Sequence, residues 1–257
     1  AEGYQAERAL ELTVPEAEAV RRAVTRRLPS ARIVLRAFGG GLVRTSYDST
    51  GVLFAGVEPA RERGVSEIAA AIHRGVYQDA NTPAGARRAT AKELWCVHPA
   101  RPGAPPVRRV VIGEQLARTL KVGLCDKLVL DTQGMGSQES EQLRVVGIFR
   151  TGNVDLDGFL MVLPLPDVQR LLHLGEAVHQ VAVFVADAKG APEATRATRA
   201  ALADRPGLDV LPWDKALPEL AEYIWFDTAS VWVFILILFV IIAIGLLNTI
   251  LMSVMER

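Results

Sequence analysis

"VRRVVIGEQLARTLKVGLCDKLVLDT" occupies residues 107–132, and its hydrophobic period changes twice. "VRRVVIG" (107–113) is short, rich in valine and closed by glycine, which reads as a strand. "EQLARTLKV" (114–122) is built from helix formers and reads as a helix. "DKLVLDT" (126–132) alternates again and reads as a strand, and "LRVVGIFR" (143–150) follows as another. Short strands and helices without regular βα alternation predict α+β layers.

The same pattern extends on both sides. Upstream, "VPEAEAVRRAVTRRLP" (14–29) carries Val14, Ala17, Val20, Val24 and Leu28 at three- and four-residue steps, so it predicts an amphipathic helix. "RIVLRAF" (32–38), "GLVRTSY" (41–47) and "GVLFAGV" (51–57) read as three strands, with turns at residues 39–41 and 48–49. A helix is expected over 65–73. Residues 75–106 hold five prolines with several glycines and arginines, and read as an extended surface insertion. Downstream, "GFLMVL" (158–163) is a strand, "PDVQRLLHL" (166–174) a helix and "HQVAVFV" (179–185) a strand that His179 opens as a surface residue. "APEATRATRAALAD" (191–204) is a helix, and "GLDVLPW" (207–213) a closing strand.

The C-terminal end is of another kind. Residues 228–255 contain no charged side chain. A membrane-spanning helix needs about 20 apolar residues to cross a hydrocarbon core of about 30 Å, and this run exceeds that. Its helix is expected to start earlier, with Pro218 at the first position and Glu219 and Glu222 favouring the positive helix end. From 218 to 255 it would be about 57 Å long, so part of it projects as a stalk. Tyr223, Trp225 and Trp232 lie where such a stalk enters the headgroups. Gly245, Thr249 and Ser253 form a stripe of small residues at four-residue steps, with Asn248 beside it, a pattern that lets a second membrane helix pack closely.

Lys plus Arg and Asp plus Glu balance at 29 each, so no charge excess favours nucleic acid. The opening "AEGYQAERALELTV" has neither the basic start nor the apolar stretch of a signal peptide; the expectation is a fragment or processed chain whose membrane-targeting element precedes Ala1. Cys96 and Cys125, with His98, lack the tight paired spacing of a structural zinc site. The two cysteines are read as a disulfide or as two thiols. "NVDLDG" (153–158) matches the first half of an EF-hand loop, but its twelfth position is Pro164 instead of Glu; it is read as a polar turn. No nucleophile motif accompanies any of the four histidines, and no phosphate-binding G-x-x-x-x-G-K-[ST] loop occurs. No catalytic or metal site is expected. "DTQGMGSQESEQ" (131–142) predicts a flexible hairpin tip over 133–141, with Gly134, Met135 and Gly136 as a contact point, because an exposed methionine adapts to a partner.

"VVIGEQLARTLKVGLCDKLVL", then "LRVVGIFRTGNVDLDGFLMVLPLPDVQRLL", and the ending "NTILMSVMER" together resemble the FtsX-like ABC transporter permeases, first the lipoprotein-releasing LolC/LolE group and next the MacB type. The resemblance covers about residues 56–257. It implies a mixed-sheet periplasmic domain of two subdomains over 1–216, porter-like at about 1–60 and 175–216 with an inserted part at about 61–174. A stalk and second transmembrane helix would follow over 217–257. It implies a non-catalytic permease subunit in a bacterial inner membrane, with ATP and Mg on a cytoplasmic ABC ATPase. Its partners would be a second permease subunit, as homo- or heterodimer, membrane lipid, and a periplasmic carrier or adaptor protein. The cargo implied is a lipoprotein or another hydrophobic molecule. Alternatives are an FtsX-like regulator of cell-wall hydrolases and a single-span anchored binding module. The chain departs from the family at Cys125, where the pattern has glycine before Asp126, in the length of 75–106, and in the shortness of the hairpin.

Overall fold

The computed structural model describes residues 10–77, 108–134 and 136–256. The chain divides into two compact units, Ala1–Val210 and Leu211–Arg257.

In the first unit the strand-helix-strand stretch of 107–132 forms as its periods dictate: β4 Arg108–Gly113, α3 Glu114–Thr119 and β5 Lys127–Gln133. Before them come α1 Ala17–Arg27, β1 Arg32–Arg44, β2 Ser49–Val57, α2 Pro59–Glu62 and β3 Ile72–Gly75. After them come β6 Gln138–Phe149, α4 Val154–Phe159, β7 Leu160–Pro164, α5 Leu165–Leu171, β8 Gln180–Phe184 and α6 Ala191–Ala201. Strand passes into helix at Gly113 without a loop, and glycine is required there: a Cβ would lie 2.2 Å from the Asp157 carbonyl oxygen.

All eight strands join one mixed sheet. β2 runs parallel to β7 and β4 parallel to β6; β7–β4, β6–β5, β5–β1 and β1–β2 are antiparallel. These six pairings close into a ring, which leaves few free edges. β8 adds to the first half of β1, and β3 to the last residues of β6. Strands from residues 1–60, 61–174 and 175–216 thus share the same sheet.

Both faces of the sheet are buried, and alternation sorts the side chains between them. Phe54, Val110, Ile112, Met161 and Leu163 pack on one face with Val20 and Val24 of α1 and Val168 and Leu171 of α5. Ala55, Val111, Val162 and Phe149 pack on the other with Ile72 and Tyr77. Of the stripe expected on α1, Val14, Ala17, Val20 and Val24 are buried and Leu28 is partly so. A partly buried ion pair ties α2 to β1: Arg36 Nη2 donates to Glu62 Oε1 over 2.5 Å, while the Arg36 guanidinium stands 5.4 Å over the Phe184 ring.

Three local expectations are corrected. Residues 39–41 do not turn; β1 runs straight through them. Neighbours crowd in on two of them: a Cβ on Gly39 would meet Phe54 Cζ at 2.4 Å, and one on Gly41 the Asp131 carbonyl at 2.6 Å. The helix expected over 65–73 is one turn followed by β3, since Ile72–Gly75 pairs with the exposed edge of β6. Residues 207–213 form no strand; no pairing partner takes them, and the Val210 carbonyl accepts from Arg199.

The second unit holds α7 Trp213–Ala216 and α8 Pro218–Met255, the latter a single helix of 38 residues.

Candidate functional site

The hairpin singled out in the sequence joins β5 to β6, paired in register from Lys127↔Arg144 to Gln133↔Gln138. The Gly134 N–H donates to the Ser137 carbonyl over 2.8 Å, so only residues 134–137 leave the strands. The nine-residue flexible tip expected over 133–141 is therefore corrected: strand pairing claims its flanks. Met135 lies outside the described residues. Gly136, at φ 96, has a left-handed conformation that few other residues adopt.

The tip does not stand clear of the domain. His173, just beyond α5, brings Nε2 to 2.9 Å from Glu139 Oε1 and 3.1 Å from Ser137 Oγ. Its hydrogen bond to His173, then that to Ser137, holds the Glu139 carboxyl below its ordinary range. Gly134 permits the approach, since a Cβ would sit 2.9 Å from the Leu171 carbonyl oxygen. One step down the hairpin, Arg108 on β4 pairs with Glu141 at 2.6 Å and with Asp167 on α5, and Arg170 reaches Glu141 at 2.8 Å. Exposed pairs contribute about 0–1 kcal/mol each; here they share members and fix orientation. The hairpin is a short projection clamped to α5.

At the other end of β5, Cys125 is buried, with φ 67. A left-handed backbone is one that glycine adopts most readily, so a cysteine here is strained. Hydrogen bonds hold the strained turn: Cys125 N–H to the Val145 carbonyl at 2.7 Å and Arg144 Nη1 to the Cys125 carbonyl at 2.9 Å. Cys96 lies outside the described residues.

Residues 154–158 lie in the helix α4, with Asn153 before it, instead of forming a polar turn. Asn153 Oδ1 accepts from the Leu156 N–H and caps it, and buried Asp157 accepts from Thr151 N–H and Oγ1 at 3.0 and 2.8 Å. Both side chains are thus consumed by local structure. Among the described residues, no group of three His, Cys, Asp or Glu is placed to hold a metal ion.

His179, expected at the surface, is 2 % exposed. Its Nδ1 accepts from the Phe38 N–H at 2.9 Å, and its Nε2–H donates to the Leu10 carbonyl at 3.2 Å. Burial pushes its pKa below the ordinary value, so it is neutral. With the Val14↔Val178 bridge it staples the segment before α1 to the sheet. A lone histidine before a strand carried no signal for this.

In α8, residues 221–255 are long and apolar enough to cross a membrane, and none of that window is buried. Pro218 stands in the first turn, as expected. Tyr223, Trp225 and Trp232 are exposed. Gly245, Asn248, Thr249 and Ser253 all lie on this helix, within one flank at about 100° per residue.

No family model and no curated protein matches the sequence. Solved structures do. The chain is similar to the extracellular domain of the noncanonic ABC-type transporter YknZ from Gram-positive bacteria, with a TM-score of 0.50 and 14 % identity over 78 % of this chain and 88 % of that one. It is also similar to the periplasmic region of MacB from Actinobacillus actinomycetemcomitans, with a TM-score of 0.51 and 12 % identity over 86 % and 88 %. At such identities the likeness is one of fold: a mixed-sheet α+β domain of the kind found in the extracytoplasmic parts of ABC transporters, followed here by one helix fit to span a membrane.

Proposed function

We propose that this chain is part of an ABC transporter permease subunit, of the FtsX-like type. Residues 1–216 form its periplasmic domain, with porter-like and inserted parts as the resemblance implies, and residues 217–257 its stalk and second membrane helix. The subunit sits in a bacterial inner membrane, paired with a second permease subunit. It catalyses nothing itself: a cytoplasmic ATPase binds ATP and Mg and hydrolyses the nucleotide, and α8 carries the resulting motion to the domain, which releases or exports a lipoprotein or other hydrophobic cargo. The hairpin at 134–136 meets a periplasmic carrier or adaptor, and the flank of Gly245, Asn248, Thr249 and Ser253 packs against another membrane helix.

One observation carries this reading: a single unbroken helix, Pro218–Met255, continues from a domain with the fold of ABC-transporter extracytoplasmic domains. At about 57 Å it is longer than a bilayer core, and a continuous hydrogen-bonded rod transmits displacement that a loop would absorb. Thr228→Pro removes one helix hydrogen bond and clashes with the preceding turn, costing about 3 kcal/mol and kinking the rod; Thr228→Ala preserves it. In liposomes with the ATPase, Thr228→Pro is expected to keep ATP hydrolysis and lose cargo release, while Thr228→Ala keeps both. Wild-type release by a correctly folded Thr228→Pro protein would reduce α8 to an anchor.

A further inference from the structure

The transport reading makes no use of a cleft of about 290 Å³ where β3, α3 and the end of β6 meet. Three cations line it, Arg74, Arg118 and Lys121, over a floor of Ala117, Val122 and Ile148. One carboxylate, Glu114, also lines it and is already engaged. Arg150 grips both its oxygens, with Nη2 at 2.6 Å from Oε1, and Arg118 Nη2 comes within 3.1 Å. His73 stands beside it at 3.6 Å, and burial pushes that imidazole towards the neutral form. Among the described residues, neither Arg74 nor Lys121 forms an ion pair. The lining therefore carries three positive charges against one negative charge that Arg150 already compensates.

Solvated surface cations normally point apart on mobile stems. These three start from fixed backbone. Arg74 lies in β3, paired with Ile148 of β6. Arg118 lies in the last turn of α3. Lys121, at φ 55, follows directly, in a turn closed by its N–H to the Arg118 carbonyl and the Val122 N–H to the Ala117 carbonyl. Concave placement of like charges focuses the field and concentrates counter-ions. Two guanidinium forks and an ammonium match the several oxygens and the double charge of a phosphate; one fork alone would satisfy a carboxylate.

We propose that this cleft is a phosphate-binding site, in which Arg74, Arg118 and Lys121 hold the phosphate group and Ala117, Val122 and Ile148 take the organic part of its bearer. The site stands apart from the transport reading and can be tested without ATPase or cargo. A soluble phosphate monoester, doubly charged, and a phospholipid headgroup, a singly charged diester, both present phosphate oxygens to the three cations, and the experiment separates them.

The full chain in a neutral glucoside detergent is titrated with inorganic phosphate at constant ionic strength, followed by calorimetry. Saturable binding is expected. Arg74→Gln and Lys121→Gln should each weaken it about tenfold, the loss of one charged contact, while Lys189→Gln, on the exposed turn before α6, leaves it unchanged. Both exposed sites tolerate glutamine, so unfolding midpoints should not move. Absence of saturable binding, or equal binding by the Arg74→Gln/Lys121→Gln double variant, overturns the site. In a second arm, short-chain phosphatidylglycerol is added. Competition with phosphate in wild type but not in the double variant assigns the site to a lipid headgroup, and phosphate binding without competition assigns it to a soluble ester.

Discussion

The two units of this chain use the same apolar residue types in opposite ways. In the domain, Leu116, Leu128 and Ile112 are fully buried; in α8, Leu236, Leu246 and Ile241 are each about three-fifths exposed. A buried leucine is worth about 1.5–3 kcal/mol relative to an exposed one in water, so the domain supplies its own core. A helix apolar on every side gains nothing from water and needs a lipid or protein environment around it. The difference teaches that hydrophobicity alone does not tell core from membrane surface. Periodicity does: alternation sorts the domain's strands between two buried faces, and residues 228–255 of α8 have no charged face to present to water.

The sharpest way to break the comparison is to cut one phenylalanine in each unit. Phe54→Ala empties a fully buried position and should cost about 3–5 kcal/mol, read as a lower denaturant midpoint of the full chain in detergent. Phe239→Ala removes a ring that the chain itself does not cover, and the midpoint should scarcely move. Equal costs would mean that α8 is packed as a core helix.

A disulfide between Cys96 and Cys125 would close a loop of about 30 residues and stabilise the domain by about 3–4 kcal/mol in the chain-entropy picture. Intact-mass measurement without reductant should show the protein two hydrogens lighter than its reduced form. Two freely alkylated thiols would remove the bridge.

His179 makes the domain alone sensitive to mild acid. Its folded pKa lies below 6.5 because burial disfavours the charged ring, so the unfolded chain binds the proton first. Its contribution is complete above pH 6.5 and declines as pH falls through that value. His73, lowered by burial in the same way, adds to the slope. His179→Gln should flatten the fall of the denaturation midpoint below pH 6.5, and an unchanged slope would place the acid sensitivity elsewhere.

The smallest effect on stability is expected at the hairpin. Met135→Asp should change stability by less than about 0.5 kcal/mol, yet weaken photo-crosslinking of a periplasmic partner at that tip. Unchanged crosslinking and transport would leave 134–137 as a connection only.

The α1 stripe, the strand-helix-strand run of 107–132 and the bounds of α8 were legible in sequence, because each is encoded by a local period that burial or the bilayer reads directly. Residues 39–41 were not: a glycine run looks like a turn until the ring of strands brings Phe54 and Asp131 against it. Residues 72–75 lie in a run of helix formers, yet the open edge of β6 draws them into the sheet. The hairpin's place was visible, but its clamp was not, since Arg108, Glu139, Glu141, Asp167 and His173 come from three separate segments. The cationic cleft is likewise an encounter of three segments. By itself the sequence determined what depends on neighbours within a few residues: the elements, their apolar faces and the membrane-length helix. Tertiary structure alone decided which strands pair, which glycines are crowded and which charges meet, because those energies depend on groups brought together from distant parts of the chain.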